Sequence, residues 1–590
     1  MRGNDYLRST PPGETSHPQN STDTMGKVEG LVYKPAPLEK PKAIRRRSLV
    51  VFAFWSVILF LGLPMWWKTT SIYRAKLPLV AMGNWADGLA CRPTFPLHIR
   101  VHTPDMPTSE AESMVQAIQH ALDDLNDFWE HHLRLQLTKT KEDHENIEAS
   151  ASELGIPDDT ALILRLLQLD NITAPTSELH PYSERLDIYY PRGQIQPQSS
   201  SHPITTFIAE ELRSLFNEEK TTLEYILSRS NIARMPPTPP LSAVPATQKG
   251  AKNKEQRTNA VNPSTSSELI DAISRRIAKS FTYAETYHLS FSLFTPGAQP
   301  SSWDIESAID EYLTPLLNAF APISNFSIDT QVQVYATFSP TANAPEWNEQ
   351  NAAFTLKKGD LSGFINAAEW PLSPSIGGGP TINFIVYVPS KSQSPLVIGQ
   401  DTATSWIIPQ WGGVVILNPA DPDPDRTPSL SREALKPAMA TFSHQLLTLL
   451  GTPTSPQSLP LRLQSLIRIH TISLLLSASS TMGSLARLTH SLASIPIPMT
   501  VATSVANSLS HLSTTCDLLH QGAFKSALAN ARIAEHEAER SFFEKSMVGQ
   551  VYFPEEHKIA VYLPLLGPVG VPLVLGLIKE IRGFITRLRS

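Results

Sequence analysis

The chain has 590 residues, of which 41% are hydrophobic and 18% charged, and its formal net charge is −6. That length exceeds one ordinary core and predicts two or three structural units. The mildly acidic balance, with no basic stripe, argues against nucleic acid as a main partner. Two cysteines, Cys91 and Cys516, are too few for a disulfide framework, and one bridge or two free thiols both fit.

Residues 1–47 are polar, carry Pro11-Pro12 and show no apolar period, as a disordered tail would. Ser48–Trp67 follows without a formal charge. At about 1.5 Å per residue a helix of this length spans roughly 30 Å, the thickness of a bilayer's hydrocarbon core. Its far end has Pro64, Trp66 and Trp67 where a cleaved signal would have small residues, so an uncleaved signal anchor is expected. Lys34, Lys40, Lys42 and Arg45, Arg46 and Arg47 precede it, against Lys68, Arg74 and Lys76 beyond, which keeps the N-terminus in the cytosol. Arg45, Arg46 and Arg47 are also candidates to hold an anionic lipid headgroup.

A second uncharged span, Ile559–Ile578, precedes Lys579, Arg582, Arg587 and Arg589 and so returns the chain to the cytosol. Both termini are then cytosolic, the tail 579–590 included, and residues 68–558 are not. On that side Asn171-Ile172-Thr173 and Asn325-Phe326-Ser327 are N-glycosylation acceptors, whereas Asn20-Ser21-Thr22 stays unmodified. Within the second span Pro564, Pro568 and Pro572 recur every four residues, each removing a helical hydrogen bond. Gly567, Gly570 and Gly576 permit close backbone approach. The combination predicts packing against other membrane helices, and hence against other subunits.

Between the spans the pattern predicts an α/β (mixed α+β) domain over 68–430, built on a central sheet, and a helical region over 431–558. Strands are expected at Phe95–Thr103, Ala161–Leu169, Tyr287–Phe294, Ile328–Phe338, Ile382–Val388 and Val414–Leu417. Amphipathic helices are expected at Thr108–Leu135, with Met114, Ile118, Leu122, Leu125 and Trp129 on one face, and at Ile204–Arg229, Ser267–Tyr283 and Trp303–Phe320. Residues 235–267 are polar and Pro-rich and read as a disordered insertion. From Arg432 to Met547 the period is helical, broken at Pro453–Pro460 and Pro496–Pro498.

No catalytic, metal or cofactor constellation emerges. HExxH, CxxC, GxSxG, a phosphate loop and a dinucleotide fingerprint are all absent. Asp421-Pro422-Asp423-Pro424-Asp425 opens like a calcium loop, but Arg426 and Arg432 stand where an EF-hand needs Gly and Glu. His131-His132 and Asp143-His144-Glu145 read as solvated helix-end polarity. Cys516 has His511 and His520 near it in sequence, so a lumenal hydrolase using Cys516 is the enzymatic alternative; a stand-alone binding module is another.

Three stretches carry a resemblance. Gly62-Leu63-Pro64-Met65-Trp66-Trp67-Lys68-Thr69-Thr70, with Tyr73-Arg74-Ala75 and Leu77-Pro78, resembles the first-span signature of the PIG-S family. Trp411-Gly412-Gly413-Val414-Val415 with Asn418, and Phe442, Gln445-Leu446 and Leu449-Leu450-Gly451, resemble its lumenal blocks. Tyr552-Phe553-Pro554-Glu555, Tyr562, Pro564-Leu565 and Val571-Pro572 are similar to its second span. The resemblance implies a non-catalytic scaffold subunit of the glycosylphosphatidylinositol (GPI) transamidase of the endoplasmic reticulum. Its implied partners are a PIG-K-like catalytic subunit, PIG-T-like and PIG-U-like subunits, a metallopeptidase-like subunit and membrane lipid.

Overall fold

The computed structural model describes residues 40–70, 73–138, 160–170, 172–191, 202–230, 267–300, 302–336, 344–361, 379–418, 429–492, 495–547 and 556–589. They fall into two compact units, one made of Ile72–Glu555 and one of Met1–Ser71 with Glu556–Ser590.

Ile72–Glu555 holds two five-stranded sheets where one central sheet was expected. The first contains β1 (Phe95–His102), β2 (His131–Leu137), β3 (Thr160–Leu169), β4 (Thr176–Leu179) and β5 (Arg185–Pro191), in the order β2-β1-β3-β5-β4. The second contains β6 (Thr286–Thr295), β7 (Asn325–Val334), β8 (Thr381–Tyr387), β9 (Ser405–Ile408) and β10 (Gly412–Ile416), in the order β9-β10-β8-β6-β7. Numbered afresh along the chain, both sheets read 2-1-3-5-4. In both, strand 4 is the antiparallel edge and the other neighbours pair in parallel. Parallel partners lie far apart in sequence, so periodicity finds such strands without revealing which sheet they join.

Local sequence explains the strands. β6 (TYHLSFSLFT) and β8 (TINFIVY) are buried along nearly their whole length, as central parallel strands are. β1 (FPLHIRVH) alternates buried and half-buried positions. The helix expected over Thr108–Leu135 ends at Asp124, and Trp129 is exposed rather than packed. Leu133, Leu135 and Leu137 have the period of a strand, and they form β2. Asn126 shapes the turn between: its side chain accepts from the Phe128 N–H and donates to the His131 carbonyl.

The helices are α1 (Leu79–Ala86), α2 (Thr108–Asp124), α3 (Pro203–Leu215), α4 (Asn217–Ser228), α5 (Ser267–Lys279), α6 (Ile305–Tyr312) and α7 (Thr314–Ala319). They continue as α8 (Arg432–Leu449), α9 (Leu459–Ser491), α10 (Met499–Gln521) and α11 (Phe524–Phe542). The Pro-rich breaks fall where expected, and Gly522 adds another. Its φ of 79° is left-handed, and a Cβ there would press on the Pro96 carbonyl and the His98 ring. α8 lies on the second sheet, with Phe442 centred 5.9 Å from Phe291 and 4.9 Å from Phe384. Phe524, opening α11, stacks on Phe95 of the first sheet. One apolar cluster runs through both sheets, and a smaller one on the far face of the second contains Phe294, Ile385, Tyr387 and Val414. The short strands Ala353–Leu356 and Leu396–Ile398 cover that smaller cluster.

The other unit has a helix from Pro41 to Thr70, interrupted by a π turn at Ile58–Gly62, and a continuous helix Glu556–Arg589. The π turn precedes Pro64. A proline ring clashes with the carbonyl four residues back, and the widened turn, closed by Leu63 N–H to Ile58 O, makes room for it. Among the described residues one helix, Lys42–Lys68, is long and apolar enough to cross a membrane.

Candidate functional site

The two long helices meet through polar groups. Arg47 Nε donates to Glu580 Oε1 at 2.9 Å, and Ser48 Oγ donates to Glu580 Oε2 at 2.8 Å. Because residues 47–48 begin one apolar run and Glu580 follows the other, the helices are antiparallel. Arg47 is thereby engaged inside the chain, and Arg45, Arg46 and Arg47 are all exposed. Pro564, Pro568 and Pro572 are exposed too. A Cβ at Gly567, Gly570 or Gly576 would meet nothing within 4 Å, so among the described residues no other helix fills the glycine-bearing stretch.

Cys516 is no free nucleophile. It forms a disulfide with Cys91, with Cα atoms 6.2 Å apart, which corrects the hydrolase reading. His520 does lie one turn away, 4.0 Å from Cys516 Sγ, as a dyad would require. Its Nε2 instead donates to the Arg92 carbonyl at 2.7 Å, and His511 pairs with Asn530. With the sulfur bonded to Cys91 there is no thiolate to activate. The bridge ties the segment before β1 to α10. His131 is likewise corrected: it opens β2, is buried, and stands 3.6 Å from Glu219. Asn325 is exposed at the start of β7. Asn171, Asp143-His144-Glu145, the Asp421–Asp425 run and the insertion 235–266 lie outside the described residues. Among the described residues no group of three His, Cys, Asp or Glu side chains could hold a metal ion.

The structure brings two of the resembling blocks together. Gly412 and Gly413 lie where side chains would collide with the Asn383 backbone and with the Gln445 side chain of α8. Gln445 Nε2 donates to the Trp406 carbonyl at 3.1 Å, and Asn418 clasps both backbone groups of Leu396, at 2.8 and 2.9 Å. The quoted residues thus form the seam between α8 and the second sheet.

The sequence profile described as "PIG-S: Phosphatidylinositol-glycan biosynthesis class S protein" matches residues 53–587. The chain belongs to the PIG-S family. It is 26% identical over 558 residues to the Bos taurus "GPI-anchor transamidase component PIGS", covering 90% of this chain and 94% of that protein. The Saccharomyces cerevisiae "GPI transamidase component GPI17" is 25% identical, with 90% of this chain and 91% of the relative covered. The Schizosaccharomyces pombe "GPI transamidase component PIG-S homolog" is 25% identical, with 92% and 85% covered. The matched PIG-S region takes in both sheets and the greater part of both long helices.

Sequence reasoning missed one buried ionic cluster of this PIG-S chain. Asn217-Glu218-Glu219-Lys220 lies within the helix expected over Ile204–Arg229, and Glu218, Glu219 and Lys220 are all buried. Arg468 of α9 holds Glu219 through Nε and Nη2, at 2.5 and 2.6 Å, and Ser465 Oγ donates to it as well. Burial alone would raise the Glu219 carboxyl; Arg468 and His131 overrule it and hold the group well below the usual carboxylate range. Glu218 accepts from Arg276 of α5 and from the Thr454 and Ser455 N–H groups, at 3.1 and 2.6 Å. The signal available in sequence was only the density of charge beside apolar helices.

Proposed function

We infer that this PIG-S chain is a non-catalytic scaffold subunit of a GPI transamidase, resident in the endoplasmic-reticulum membrane and supporting attachment of GPI anchors to precursor proteins. The observation that carries the reading is alignment over nine-tenths of the chain with relatives named as components of that enzyme. Two antiparallel helices anchor it, the second being Ile559–Ile578, with both termini cytosolic and the body 68–558 lumenal. The Arg47–Glu580 contact supports the hairpin. The Cys91–Cys516 disulfide supports an oxidising compartment for the body. The open glycines and three prolines of the second helix leave a surface for membrane helices of PIG-K-like, PIG-T-like, PIG-U-like or metallopeptidase-like subunits, and Arg45 and Arg46 remain placed for an anionic headgroup.

The decisive experiment expresses the chain in Saccharomyces cerevisiae depleted of GPI17 and follows a GPI-anchored reporter. Restored anchoring together with co-purification of the host's other transamidase components is expected. A monomeric chain in mild detergent that restores nothing would sink the scaffold reading. Endoglycosidase-sensitive glycans at Asn171 or Asn325, with none at Asn20, are expected from the topology; modification at Asn20 would reverse it.

A further inference from the structure

The chain enters and leaves the body Ile72–Glu555 at one end of it. The Ile497 N–H, just before α10, donates to the Tyr73 carbonyl at 3.0 Å, and the Ala75 N–H donates to the Ile497 carbonyl at 2.8 Å. Arg74 Nη2 donates to the Thr489 carbonyl in the last turn of α9, at 2.8 Å. From there α1 runs back along α9, so that Ala86 lies against Gly483. α10 and α11 are an antiparallel pair, fixed by Ser508 Oγ, which donates to the Ala534 carbonyl at 2.8 Å, and by His511 with Asn530 at 2.9 Å. Continued along both helices, that register sets Phe543 opposite Met499. The starts of α1 and α10 and the ends of α9 and α11 therefore share one surface, and Met547, where the described part of the body stops, follows directly on Phe543.

That surface is apolar and open. Val80 is 79% exposed, Met499 and Phe543 64% each and Tyr73 62%, with Leu79 and Leu492 beside them at 40% and 38%. The Tyr73 hydroxyl and the Met499 sulfur are 4.0 Å apart. Lys76 and Lys545 are exposed close by in the chain. Single exposed apolar side chains are ordinary, but a group gathered from separate segments onto one surface marks a place that something covers. Covalent geometry says what is nearest. The apolar run Lys42–Lys68 is long enough to cross a bilayer, and its helix ends at Thr70. The chain from Thr70 to Tyr73 can reach about 10 Å at most, so Tyr73 cannot leave the neighbourhood of the headgroups.

We propose that this surface of the body, formed by Tyr73, Leu79, Val80, Leu492, Met499 and Phe543, is seated in the headgroup layer of the lumenal leaflet, so that its partner is lipid. The apolar side chains reach toward the acyl boundary, while the Tyr73 phenol and the Lys76 and Lys545 ammonium groups stay among the headgroups, as aromatic and lysine side chains do at membrane interfaces. Tethering favours this partner over a protein one: a surface that carries both connections to the membrane meets lipid at a high effective concentration without any diffusional search. Seated in this way, the body is restrained against tilting on its two connections. The proposal rests on the reading that the chain is membrane-anchored with a lumenal body.

Because Cys91 and Cys516 are bridged to each other, an introduced cysteine is the one free thiol of the chain. The full-length chain carrying Val80→Cys, Met499→Cys or Phe543→Cys is labelled with the fluorophore NBD and placed in phosphatidylcholine nanodiscs, with and without nitroxide-labelled phosphatidylcholine. Gln521→Cys, at an exposed position about 33 Å along α10 from Met499, is the reference for the body, and Leu59→Cys in the apolar run is the reference for the membrane. The nitroxide lipid is expected to quench the Val80→Cys, Met499→Cys and Phe543→Cys labels at least threefold more than the Gln521→Cys label. Val80→Asp with Met499→Asp is expected to halve the quenching of the Phe543→Cys label at least. Quenching at the three positions no greater than at Gln521→Cys, with Leu59→Cys quenched, overturns the proposal and leaves the anchor reading standing, and points to a surface that is bare or covered by protein. An unquenched Leu59→Cys label overturns both. Unchanged quenching of the Phe543→Cys label in a double Asp variant that melts at the wild-type temperature also overturns the proposal.

Discussion

The two sheets share one strand order and are held by different chemistry. In the first half, charged side chains are taken out of water where β2, α4 and α9 meet: Glu219, Arg468 and His131 form one buried cluster. In the second half the equivalent closure is aromatic, with Phe442 of α8 wedged against Phe291 and Phe384. Topology therefore does not dictate the interior. The same 2-1-3-5-4 connectivity accepts an ionic seam that is sensitive to every partner in it, or an apolar seam that is sensitive to volume.

Removing one partner of the ionic seam should give the largest effect. Glu219→Ala leaves the Arg468 guanidinium, 1% exposed, without its carboxylate. The expected cost is about 3–5 kcal/mol, read as a fall in the thermal midpoint of the full-length chain. Replacing both partners together, Glu219→Leu with Arg468→Met, should recover most of that loss; a double variant as unstable as the single would show that packing, not charge, carries the seam. The linkage has a definite sign. Glu219 is depressed in the folded state, so its contribution is complete above the ordinary value of 4.5 and is lost as pH falls below it.

Phe442→Ala tests the apolar seam. Deleting a buried phenyl costs about 3–5 kcal/mol, toward the lower end where neighbours can close over the gap. Unlike Glu219→Ala, its effect should be the same at pH 5 and pH 8 and at low and high salt. A salt-dependent loss at Phe442 would erase the distinction between the halves.

The contrast was only partly legible beforehand. Strands such as TINFIVY and the helical run after Arg432 declare themselves through continuous apolar burial or period, and the membrane-length run Ser48–Trp67 through the absence of charge. What could not be read was which distant segments meet. Nothing near Glu219 in sequence announces Arg468, 249 positions away. Cys91 and Cys516 are separated by 425 residues, and only the fold shows that they are bridged. Trp129 follows Leu122 and Leu125 at helical spacing, whereas the Asn126 turn and the leucines of β2 end that helix. Gly412-Gly413 belongs to the blocks that carried the resemblance, and the structure shows what fills the space there: the Asn383 backbone at Gly412 and the Gln445 side chain at Gly413.

A smaller effect separates the halves by pH. His470, on α9 beside the second half, is held neutral, its folded value down to about 4 against an ordinary 6.5, by burial and the Arg532 charge. A histidine depressed on folding binds its proton better when unfolded. Stability should therefore be undiminished above pH 6.5 and fall between 6.5 and 4, by on the order of 1–3 kcal/mol. His470→Gln should flatten that step while leaving the acid loss at Glu219 in place; a profile identical to wild type would remove His470 from the account.

The smallest expected effect compares the helices that follow the last strand of each sheet, α3 and α8. Both start with a side chain accepting from a first-turn N–H, but the groups differ: the His202 ring takes the Ile204 N–H at 3.3 Å, and Ser431 Oγ takes the Ala434 N–H at 3.3 Å. The Ser431 cap is worth about 1 kcal/mol against Ala and only a few tenths against Gly, since an unhindered backbone lets water reach the free N–H groups. Ser431→Ala should thus lower the midpoint measurably and Ser431→Gly hardly at all. At His202 a proline follows, and the same ordering of Ala below Gly is expected only if the ring's hydrogen bond, rather than the preset φ of Pro203, fixes the start of α3. Opposite orderings at the two positions would mean that the repeated topology extends to the placement of the helices and stops short of how each one begins.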